Sequence, residues 1–132
     1  YQPIGRMGEP PEIAALAAPR PQLVISNGSD WTKNTPKAEF PHLQSIYGLY
    51  DATDKVRNAH FPDEKHDYGL SKRLAAYPFL AKHLGLDLSK IQDTEGDIDE
   101  SFYVLESYEK LLVFGEGNPY PEDAAAPNSP LP

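Results

Sequence analysis

The spacing of apolar positions changes along the chain, and the changes mark out a strand, a helix, a second strand and a second helix. Leu23-Val24-Ile25 is a short continuous apolar run that ends on the turn residues Asn27-Gly28. Such a run suits a strand buried on both faces in a parallel sheet. From Pro36 to Tyr50 the pattern is helical. Phe40, Leu43, Ile46, Tyr47 and Tyr50 recur at three- and four-residue steps, and Pro41 suits a first turn. Asp51 to Lys55 is a polar turn, and Val56 to Phe61 is a weaker strand ended by Pro62. Ser71 then reads as an N-cap ahead of Leu74, Tyr77, Leu80, Ala81 and Leu84, with Gly85 as the stop. Pro78 falls inside that stripe, where proline costs about 3 kcal/mol, so a kink or a later helix start is expected.

The flanks are less regular. Residues 1–11 carry Pro3, Gly5, Gly8, Pro10 and Pro11 and read as loop. Glu12 to Ala18 is an Ala-rich helical turn that must stop before Pro19. Leu86 to Gly96 is a polar connection. Phe102, Leu105, Tyr108, Leu111 and Leu112 fit helical steps, although 102–105 fits a strand equally; a helix is expected over 107–114. The Pro-rich, acidic stretch 115–132 reads as a disordered tail. The expected organisation is therefore a main domain over 1–88, a C-terminal extension over 89–114 with its helix packed on that domain, and the tail.

Two parallel strands joined by a helix form a βαβ unit with a right-handed crossover. With a further helix this gives an α/β fold of βαβα order. Two strands alone leave the sheet's edges and one face uncovered, so the fold is incomplete on its own. The chain reads as half of something larger.

Composition narrows the function. At 132 residues the chain is sized for one domain, and its formal charge of −8 excludes the basic face that phosphate binding needs, so no nucleic-acid partner is expected. The absence of cysteine excludes disulfides and thiolate metal sites. No apolar run approaches the ~20 residues that span a bilayer, and no membrane partner is assigned. The chain opens on Tyr1 rather than Met, which reads as a processed or excised piece.

Two residues carry the candidate chemistry. Asp30 lies just past the first strand's C-terminal end, where open α/β sheets place their sites. Alone, it would be an ordinary turn residue in Asn27-Gly28-Ser29-Asp30. His66 lies in the loop after the second strand. Acid after one strand and histidine after the next is the order of the last two triad members in an α/β-hydrolase. A carboxylate so placed holds the histidine's tautomer and stabilises its imidazolium.

Competing readings are weaker. Asp54, Asp63 and Glu64 do not follow an apolar strand, and the last two are too near His66 in sequence. His60, Asp63, Glu64, His66 and Asp67 could form a metal cluster. They lack the i, i+4 helical spacing of a metalloprotease motif, and Pro62 breaks any shared face, so no metal or organic cofactor is assigned. Trp31 could line a substrate pocket or simply cover the loop. Tyr47 and Tyr50 read as core. No serine has glycines at the Gly-x-Ser-x-Gly spacing of a nucleophile elbow, and no His-Gly-Gly-type oxyanion segment is present.

The stretch from about Glu12 to Leu88 resembles the C-terminal part of the α/β-hydrolase superfamily, with the nearest look to bacterial acetyl-xylan-esterase-type carbohydrate esterases. Ala18-Pro19-Arg20-Pro21 resembles the entry to the penultimate strand. Gly28-Ser29-Asp30-Trp31-Thr32 resembles the acid loop, and Phe61-Pro62-Asp63-Glu64-Lys65-His66-Asp67-Tyr68 the histidine loop. Lys65 stands where that loop usually has Gly, a change that bears on backbone angles because Gly tolerates positive φ. The resemblance implies Asp30 as triad acid, His66 as general base, and a serine contributed by an absent N-terminal half or a second chain. It implies an acylated or esterified carbohydrate as substrate, no cofactor, and a secreted or periplasmic location. Two alternatives stay open: a fragment of a peptidase-type hydrolase of the same fold, and a non-catalytic remnant serving as an interaction module.

Overall fold

The computed structural model describes residues 10–115 and 117–125. Residues 1–9 of the loop expected over 1–11, and residues 116 and 126–132 of the expected tail, lie outside them. A first compact unit ends at Ile98 and a second starts at Asp99.

The first unit begins with helix α1 (Pro10–Ala15), where Pro10 and Pro11 open the helix rather than extending the expected loop. A proline in the first turn forfeits no intrahelical hydrogen bond, which is why the helix can start there. Strand β1 (Gln22–Asn27) follows, then helix α2 (Glu39–Gly48), strand β2 (Val56–Phe61) and helix α3 (Leu70–Leu84). The two strands pair in parallel, with Gln22 opposite Val56 and Asn27 opposite Phe61. This is an incomplete α/β fold with a small, open parallel sheet.

Burial is concentrated between the sheet and α2, where Leu43, Tyr47, Ala52 and Val56 form the core with Val24 and Phe40 against them. The Tyr47 hydroxyl donates to the Arg20 carbonyl at 2.7 Å, which satisfies its buried polar tip, and burial raises its pKa. Tyr50, expected in the core, is exposed because α2 ends at Gly48 and the stripe no longer faces the sheet. Between the strands, buried Ser26 lies opposite His60, its hydroxyl 2.8 Å from His60 Nδ1, while Asn58 donates to the Val24 carbonyl. Large apolar side chains remain exposed around this small core, including Leu49, Leu80, Leu84 and Leu86.

Helix α3 differs from its expected form. Its N-cap is Gly69, and Ser71 instead donates its hydroxyl to Glu64. The helix runs unbroken through Pro78 and ends on Gly85, left-handed at φ 66°. Pro78 is exposed beside a groove of about 340 Å³ lined by Leu23, Ala75 and Phe79. In the second unit, the helix expected over 107–114 is a single turn, α4 (Tyr108–Leu111), and residues 102–105 are neither helix nor strand. Phe102, Leu105 and Leu111 are exposed, so no buried face holds further turns.

Candidate active site

Both strands run in the same direction, so the loops that leave them meet at one end of the sheet. Their approach is close. Gly28 N donates to the Phe61 carbonyl at 2.9 Å, and Ser29 N to the Glu64 carbonyl at 3.2 Å. A Cβ at position 28 would stand 1.7 Å from the Pro62 carbonyl oxygen, so only glycine fits there.

On this frame Asp30 caps a 3₁₀ turn, Trp31–Asn34, in extended conformation. Its Oδ1 accepts from the Thr32 backbone N–H at 2.6 Å and from the Thr32 hydroxyl. Its Oδ2 accepts from the Asn27 amide at 2.9 Å and lies 3.0 Å from His66 Nδ1. Asn27 N in turn donates to Thr32 Oγ1, which closes the ring of contacts around the carboxylate. The Thr32 hydroxyl, joined by the Asn27 amide, the Thr32 N–H and His66, holds the Asp30 carboxyl far below the usual carboxylate range, against the opposing effect of burial. Asp30 is therefore a fixed anion with its side chain 4% exposed.

His66 is its opposite: the side chain is 62% exposed, with one nitrogen on Asp30. The Trp31 ring lies beside it, centroids 4.3 Å apart and planes tilted by 40°. With Nδ1 on the carboxylate, Nε2 is the nitrogen available to a reacting group. The arrangement can orient an imidazole, fix its tautomer and stabilise a positive charge on it.

Two of the competing carboxylates, Glu64 and Asp54, are engaged elsewhere or remote. Glu64 and Asp67 bind Lys72, and Asp54 lies at the other end of β2, about 20 Å of strand away. His60 faces Ser26, and among the described residues no group of three or more His, Asp or Glu side chains could hold a metal ion. Lys65 does not take the positive φ that a glycine could; Asp51 is the only described non-glycine residue that does.

Three supporting residues escaped the sequence reading. Thr32, two positions after Asp30, carries the Asp-x-Thr signal of a side-chain-capped turn and could have been found. Asn27 read only as a turn residue. Lys72, fully buried, gave no signal, because a lysine on a helix is normally solvated.

No family model and no curated protein matches the chain. Among solved structures, it is similar to Methylesterase BT1017 at 48% identity and a TM-score of 0.69 over 81% of its own length. The chain spans 22% of that protein's length. The acetyl-xylan-esterase type is not singled out by this likeness. What stands is an incomplete α/β fold consistent with part of an α/β-hydrolase domain, with a general resemblance to serine hydrolases of the esterase kind.

Proposed function

We propose that the chain is the C-terminal part of a serine ester hydrolase, supplying Asp30 as triad acid and His66 as general base. The observation that carries this reading is the 3.0 Å contact between Asp30 Oδ2 and His66 Nδ1 at the end of two parallel strands. His66 Nε2 takes the proton of a serine hydroxyl as the oxygen attacks the ester carbonyl, then gives it to the departing alcohol. The serine lies on residues outside this chain, in a complementary part of the fold. The exposed leucines and the open sheet edges are surfaces that such a part would cover.

The substrate is an esterified carbohydrate, and the methylesterase likeness favours a methyl ester over an acetyl ester. On a sugar, a methyl ester is that of a uronic acid, and the released alcohol is methanol. Trp31, exposed beside His66, offers a flat apolar face to a sugar ring.

The test is a hybrid in which this chain replaces its matching segment in Methylesterase BT1017. Methanol release from a methyl-esterified sugar acid, abolished by Asp30→Asn and by His66→Ala, is the expected result. A folded hybrid without activity on methyl or acetyl esters would overturn the esterase reading. It would favour a non-catalytic remnant, which the missing nucleophile elbow also supports.

A further inference from the structure

Lys72 is a charged side chain with no exposed surface, on the first turn of α3. A buried ammonium is costly unless it is fully paired, and its partners among the described residues lie in one short segment. Nζ donates to the Lys65 carbonyl at 2.9 Å, to Glu64 Oε2 at 3.1 Å, and to Asp67 Oδ1. The same two carboxylates receive further bonds from the start of the helix: Ser71 Oγ donates to Glu64 Oε2 at 2.7 Å, and Gly69 N to Asp67 Oδ1 at 2.9 Å. Lys65 and Asp67 are the residues on either side of His66. One cation therefore grips the chain immediately before and immediately after the histidine.

His66 needs such a grip. Its ring is 62% exposed, with Asp30 and Trp31 against it, so packing among the described residues encloses little of it. Its position depends on where the backbone of residues 64–67 is held. Asp30, by contrast, is immobilised by its own hydrogen-bond ring. We propose that Lys72 is the positioning residue for His66: it pins the histidine loop so that Nδ1 stays on the Asp30 carboxylate. This rests on the reading of Asp30 and His66 as an acid–base pair.

The test reads the imidazole tautomer of His66 by two-bond ¹H–¹⁵N correlation in the full chain at alkaline pH. In the unmodified protein Asp30 accepts from Nδ1, which holds the proton there, whereas a free histidine carries it mainly on Nε2. Lys72→Met keeps the apolar stem and removes the ammonium; the expected result is a shift of the population toward Nε2–H with the Leu43 and Val56 methyl signals unchanged. Glu64→Gln with Asp67→Asn keeps side-chain volume and weakens the same grip, and it decides the matter should Lys72→Met not fold. An unshifted tautomer in a folded variant overturns the proposal. Asp30→Asn separates the two failures: if it too leaves the tautomer unchanged, the acid–base pairing itself is wrong, and if it alone moves the tautomer, only the role of Lys72 is.

Discussion

Gly28 and Pro62 touch backbone to backbone, so closely that a β-carbon on residue 28 would overlap the Pro62 carbonyl. This contact sets how near the loop bearing Asp30 comes to the loop bearing His66. Gly28→Ala must push the loops apart, because a backbone carbonyl cannot rotate aside as a side chain can. The expected cost is about 3 kcal/mol, at the upper end for overpacked sites. Thermal or urea unfolding measures it. A variant as stable as the parent would mean that the loops are not held together in solution.

The Thr32 hydroxyl is the largest influence on the Asp30 carboxyl. Asp30 has its pKa depressed below the usual 3.8, so its contribution to stability is complete above that pH and is lost as pH falls through the lower folded value. Thr32→Val keeps the shape and removes the hydroxyl, which raises the folded value and moves acid unfolding to higher pH. Carboxyl ¹³C titration of both proteins checks this. Coincident Asp30 curves would remove Thr32 from the account.

Trp31 is exposed and packs on the His66 ring. Trp31→Ala should change stability by no more than about 0.5 kcal/mol, as expected for a surface side chain. If the indole meets the sugar, the active hybrid should show KM raised about five-fold, close to 1 kcal/mol of binding. An unchanged KM would leave Trp31 as a cover for the loop.

Pro78 lies within α3 without an N–H to offer the Leu74 carbonyl. Because the helix is already continuous through this exposed position, Pro78→Ala is expected to restore one hydrogen bond at little cost in packing. A gain of about 1–3 kcal/mol is expected, bounded by the helix penalty of proline. A higher melting temperature confirms it, and a lower one would mean that the ring's contact along the groove outweighs the lost bond.

Local pattern determined the succession of elements. The apolar run at Leu23-Val24-Ile25, the helical stripe through Leu43 and Tyr47, and the Gly85 stop each reflect an interaction within a few residues. The structure accordingly has β1, α2 and the end of α3 where these signals stand. The end of the sheet at which to look for a site was legible too, since parallel strands deliver their following loops to the same edge, and the order of an acid after one strand and a histidine after the next singled out Asp30 and His66 as the candidate pair.

What the sequence could not decide depends on partners distant along the chain. Ser71 satisfies the cap pattern, yet its hydroxyl goes to Glu64 because the histidine loop folds back over the start of α3. The stripe of α2 continues to Tyr50 on paper, but the helix ends at Gly48, before it. Lys72 looks like any surface lysine until three acceptors from residues 64–67 close around it. Periodicity records which face of an element prefers to be dry. Only the tertiary structure decides which polar groups are enclosed with it, because an enclosed charge is stable only where its counter-charges arrive from elsewhere in the fold.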